Sequence, residues 1–226
     1  MLLDTVVSAS LILASAQGGM VPEASWCTPP RPPVVQVGLI APTPTADFSK
    51  TMKQLETFRI DTKNPYGAHV DTHVGGLTSG TVKVEQTMAV GGVRHGDDIC
   101  VWPTRVSVTL RLDQRVYVAR DYPPRTCMHN AVWDHEHKHI RVDREIINQY
   151  RPVYERAVRA YLQKNPFMGP FPKGQEKAAQ SRVMAGLRDA ISAVTKRMEK
   201  DRGARQQAVD TRVEYDRVAA LCAPKR

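Results

Sequence analysis

The sequence predicts an α+β domain, an antiparallel sheet followed by a C-terminal helical layer, and two observations carry that reading. From residue 58 to 120, apolar and polar residues alternate between Gly and Asp turns, the pattern of strands with one buried face. After residue 130 the apolar spacing changes to three and four, the period of helices. Strands gathered first and helices after them indicate segregated layers rather than alternating β-α units. At 226 residues the chain is long enough to bury one sizeable core, and no internal repeat divides it.

Residues 1–16 (MLLDTVVSASLILASA) form a short apolar run ending in Ala14-Ser15-Ala16, which reads as a secretory signal peptide cut before Gln17. The run is too short for a comfortable membrane span. It lacks a basic residue at its start and carries Asp4, so a misplaced start or a folded N-terminal strand are the alternatives. Residues 17–33 are Pro-rich and read as an extended linker, and 34–226 as a single domain, mainly β over 34–127 and mainly α over 128–226.

Within that domain, residues 34–40 alternate as a strand, and 47–55 is a short helix candidate capped by Ser49 or Asp47. Five strand-like pieces follow, with turns expected at Gly91-Gly92 and Gly96-Asp97. The clearest contains Val106, Val108, Leu110 and Leu112. A helix is expected over 130–163, kinked or restarted at Pro152. A turn in NPFMGPFPKG precedes two further helices near 174–200 and 204–221.

Four cysteines, Cys27, Cys100, Cys127 and Cys222, contain no Cys-x-x-Cys pair. An even count without that spacing argues against a thiolate metal site and for disulfides in an oxidising compartment, secreted or periplasmic. Three connectivities are open. Cys100 ends one strand-like piece and Cys127 precedes the first long helix, so Cys100–Cys127 is expected, leaving Cys27 with Cys222.

Charge is distributed unevenly. Residues 1–140 hold 13 basic and 13 acidic side chains, whereas 141–226 hold 19 and 10, so the net +9 lies in the helical part. Such a face suits an anionic envelope surface. Nucleic acid is not expected as a partner, because aromatic interleaving and the fingerprints of the common nucleic-acid folds are missing.

His135-Glu136-His137-Lys138-His139 names a chemistry. On a helix, positions i and i+4 share a face, so His135 and His139 can offer two imidazoles to one Zn2+ while Glu136 serves as general base toward a zinc-activated water. Val132, His135, His139, Ile146 and Tyr150 fall near one face, which places both histidines on the buried stripe. Asp134 and Glu136 are expected in the first turn, where negative charge suits the helix dipole. His137 lies about 200° round and should face away from the metal. A third ligand is not evident. Asp143 continues the i+4 series but would lie about 9 Å along the axis from the metal, beyond an aspartate's reach. Asp210, Glu214, Asp216, His95 and His129 remain candidates.

A Cys100-Val101-Trp102 segment, a long alternating strand, and a helix start running through Trp133-Asp134-His135-Glu136-His137-Lys138-His139 resemble the predicted secreted bacterial zinc-dependent proteases, a family known as a domain of unknown function. The resemblance covers roughly residues 34–222, and only the stretch from Trp133 to His139 is specific. It implies a minimal zincin-like fold, with a sheet packed on the active-site helix and supporting helices behind. It also implies His135 and His139 as ligands and Glu136 as catalytic base. Near the C-terminus the family tends to carry Tyr-Asp and then His-Gly; Tyr215-Asp216 matches, whereas Leu221-Cys222 stands where the histidine is expected. The expected function is an exported zinc metallopeptidase acting on protein or peptide substrates. The alternative is a non-catalytic envelope or binding protein that uses its basic helical face.

Overall fold

The computed structural model describes residues 25–59, 61–67, 69–70 and 72–223; the expected signal peptide lies outside these residues. Val34–Ile40 forms β1, and Pro42 and Pro44 separate it from a short strand, β2 (Thr45–Asp47). α1 (Met52–Leu55) is one turn, capped by Thr51: its hydroxyl accepts from the Gln54 amide, and the Gln54 side chain accepts from the Thr51 amide. Ser49 and Asp47 therefore do not cap it. Asp47 accepts from the N–H and hydroxyl of Ser49 in a turn of its own.

Of the five expected pieces, the last three join into two long strands, β3 (Gly76–His95) and β4 (Asp98–Val118), whereas residues 58–59, 61 and 72–75 belong to no strand. Gly96-Asp97 makes the two-residue turn between them, with Gly96 at φ +61°. Gly91-Gly92 is not a turn. Both lie inside β3, where a Cβ on Gly92 would stand 2.6 Å from the Cys100 carbonyl oxygen. Pro103 sits within β4 without breaking it, because it falls between Val101, the last β4 residue paired to β5 (Met168–Pro172), and Arg105, the first paired to β1. No partner on that edge needs its missing N–H.

The expected antiparallel sheet is corrected by the pairing of β1 and β2, which run parallel to β4. β3 and β5 are antiparallel to it, so β4 is the axis of a mixed sheet in an α/β arrangement. The chain's path explains the difference. β2 ends opposite Tyr117 and β3 begins opposite Val118, so the connection crosses the sheet at one end. β3 then runs back, and the hairpin inserts β4 between β3 and β1, which restores the direction of β1. Alternation predicts each strand but not its neighbour.

α2 (Cys127–Lys164) runs through Pro152 without a break and spans about 57 Å. Its buried stripe, including Val132, His135, His139, Ile146 and Tyr150, covers the sheet. α3 (Glu176–Val209) returns antiparallel along α2: Tyr161 bonds Val183, Tyr154 bonds Thr195, Tyr150 bonds Arg197, and His139 bonds Gln206. Between sheet and helices lies the main core of Val106, Val108, Leu110, Leu112, Ile146, Ile147, Tyr154, Leu187 and Met198, all essentially closed to solvent. The expected break near residue 200 does not occur. The helix stops at Asp210, and α4 (Arg212–Leu221) starts behind the Thr211 cap. Segment 165–174 contains β5 rather than only a turn.

Two disulfides form, joining Cys27 to Cys100 and Cys127 to Cys222. The expected Cys100–Cys127 and Cys27–Cys222 pairs are overturned, because Asp98–Val118 is one strand. From Cys100 to Val118 it covers about 60 Å, and Cys127 follows at the far end. Among the described residues no helix is long and apolar enough to cross a membrane.

Candidate metal centre

Asp134 and Glu136 are not in the first turn of α2; the helix begins at Cys127, capped by the Thr126 hydroxyl. Starting earlier carries the motif into the helix interior, where it lies under β3. That approach needs glycine: a Cβ on Gly76 would collide with Val132 and stand 2.8 Å from Glu136 Oε1.

His135 and His139 point to the same place, their rings 5.1 Å apart. Asp210 completes the group. Its Oδ1 lies 3.2 Å from His135 Nε2 and 3.1 Å from His139 Nε2, and one ligand atom from each of the three falls within 4.8 Å of the others. All three residues are buried. Asp210 reaches the motif because α3 lies antiparallel on α2 and ends there, in the gap before α4.

The other candidates go elsewhere. Glu214 Oε1 lies 3.3 Å from His135 Nδ1, the ring nitrogen turned away from Asp210, and also pairs with Lys138 at 2.6 Å and Arg217 at 2.7 Å. It braces His135 from outside the group rather than joining it. Asp216 accepts from the Tyr66 hydroxyl. His95 stacks on Trp26 at the hairpin turn, and His129 Nδ1 faces the Tyr122 carbonyl. Asp143, fully buried, pairs with Arg202 at 2.7 Å. His137 turns to the Trp133 carbonyl.

Burial opposes charge on Asp210, but hydrogen bonds from His135 and His139 outweigh it and hold the carboxyl well below its usual range. Burial likewise opposes charge on His139, yet Asp210 and Glu136 raise it to about 9. For Glu214 the Arg217 hydrogen bond leads, with Lys138 and His135 assisting against burial, and the value falls to about 2. Burial pushes Glu136 the other way, upward, despite the neighbouring histidines and a 2.9 Å bond from the Thr78 hydroxyl. Tyr215, edge-on to His135 at 5.6 Å, is raised by burial and by Asp210 and Glu136, and stays a neutral phenol.

Two imidazoles and one carboxylate suit a borderline divalent ion, and the donor set fits zinc while leaving coordination positions free. The group opens onto a cleft of about 1040 Å³ between β3, α2 and the α3–α4 junction, with Val132, Tyr122 and Met128 on its apolar side. Sequence reasoning placed Asp210 among five candidates, named Tyr215 only as half of the Tyr215-Asp216 pair, and missed Thr78 and Gln206 as neighbours of the site. A hydroxyl and an amide far apart in the chain carry no spacing that announces them. No family model, curated protein or solved structure matches this chain.

Proposed function

We propose that the protein is an exported zinc-dependent peptidase. The observation that carries the reading is the convergence of Asp210 on the histidine pair with Glu136 beside them in an open cleft. A zinc ion held by His135, His139 and Asp210 would supply a Lewis acid that acidifies a water molecule and polarises a carbonyl.

Glu136 does the proton work. Burial raises its carboxyl toward neutrality, which favours taking a proton from the attacking water and returning it to the leaving amide nitrogen. The Thr78 hydroxyl holds Oε2 and also bonds the Glu136 carbonyl, so side chain and backbone are fixed together. Tyr215 lines the same cleft as a neutral donor. A peptide substrate is favoured by β3, which passes Glu136 and, among the described residues, is paired on one edge only. Its other edge offers backbone donors and acceptors to an extended chain. Two disulfides favour an oxidising compartment, and with it export.

The test is Glu136→Gln. It should keep zinc and lose peptide cleavage by a factor on the order of 10²–10⁴, measured on a broad peptide library with thermal melts as the folding control. Equal cleavage by parent and variant removes Glu136 from the chemistry. No cleavage by zinc-loaded parent leaves the non-catalytic binding protein with its basic helical face.

A further inference from the structure

We propose that Gln206 is a positioning residue that sets the tautomer of His139, and that buried Asp143 sets Gln206; this rests on the reading of His139 as a metal ligand. An amide has an acceptor end and a donor end, and its surroundings decide which faces where. Gln206 Nε2 lies 2.6 Å from Asp143 Oδ1 and 3.2 Å from the His139 main-chain oxygen. Both are acceptors, so the NH2 group must point at them. Oε1 then faces His139 Nδ1 at 2.5 Å, and only a protonated Nδ1 can satisfy it. The lone pair for a metal is thereby assigned to Nε2, the nitrogen beside Asp210.

Asp143 is held for this task by two further residues through three hydrogen bonds. Arg202 donates to Oδ1 at 2.7 Å and to Oδ2 at 3.2 Å, and Gln114 donates to Oδ2 at 3.3 Å. Arg202 also donates to the Gly80 carbonyl, and a Cβ on Gly80 would collide with Asp143. β3, β4, α2 and α3 thus meet at one carboxylate that cannot turn. The two histidines are braced differently. His135 leans on a charged carboxylate, Glu214, whereas His139 leans on a neutral amide whose direction is fixed one bond further away.

The test uses the full chain, stripped with chelator and titrated with zinc and with cobalt(II). Gln206→Met keeps side-chain length and removes both the donor and the acceptor. It should weaken zinc binding ten- to a hundredfold and alter the visible cobalt spectrum. Its metal-free melting temperature should stay within a few degrees of the parent. Unchanged zinc affinity in Gln206→Met overturns the proposal, as does a cobalt spectrum identical to that of the parent. A parent chain that holds no zinc overturns the metal reading itself, and is told apart because it appears before any substitution.

Discussion

Asp210 is the residue on which the site turns. It sits between two helices and faces two imidazoles, and it turns a two-histidine pair into a three-residue group that could hold a metal ion. Asp210→Asn should therefore reduce zinc content after desalting from about one per chain toward none, with the fold retained; metal analysis decides it. The metal-free protein should also show a pH signature. His139 has a folded value of about 9 against an ordinary 6.5, so its stabilising contribution is complete below about pH 6.5 and is lost as pH rises through 9. Asp210 is depressed, so its contribution is present above about pH 4 and is lost as pH falls. Stability with chelator present should thus peak between about pH 4 and 6.5 and fall by on the order of 2–3 kcal/mol toward pH 9. Denaturant melts of parent and Asp210→Asn check this, since the variant should lose most of the alkaline decline. Parallel curves would mean that Asp210 does not hold the His139 proton.

Among the α-helices, α4 has the weakest apolar hold, for none of its residues is buried. Ion pairs from Glu214, the Tyr66–Asp216 hydrogen bond and the Cys127–Cys222 disulfide dock it instead. That disulfide ties the start of α2 to the end of α4, the two elements on either side of the site. Cys27 and Cys100 are fully buried, whereas Cys127 is exposed. Mild reductant should open Cys127–Cys222 first. Loss of the cross-link, or Cys127→Ser with Cys222→Ser, should lower zinc affinity about tenfold or more, because Asp210 immediately precedes the element released. Zinc competition with a coloured chelator, beside thiol mapping of which bridge has opened, measures it. Full zinc affinity in the double variant would show that α3 alone places Asp210.

At the scale of the whole molecule, the three side chains that could hold a metal come from α2 and from the end of α3, so a bound ion would pin these two helices together. Zinc at a hundredfold excess over its dissociation constant should stabilise the chain by about 2.7 kcal/mol and raise its melting temperature by several degrees. Chelator should reverse the shift. A melting temperature indifferent to zinc would mean that the ion does not bridge these helices.

The sequence by itself determined a good deal. Spacing of three and four put Val132, His135, His139, Ile146 and Tyr150 on one buried face, and alternation marked Val34–Ile40 and the strand through Val106 and Leu112. These are local periodicities, and the backbone imposes them within a few residues. The motif fixed His135 and His139 as partners for the same reason. Only the tertiary structure decided the direction of β1, the pairing of the cysteines and which carboxylate stands beside the two histidines. Each depends on contacts across tens of residues: β1 is parallel because a crossing connection inserts β4 beside it, and Cys100 misses Cys127 because one unbroken strand separates them. Asp210, seventy-one residues beyond His139, arrives because two long helices lie antiparallel and the second ends at the motif. Pairing over such distances is set by packing of the whole chain, and no short stretch of sequence contains it.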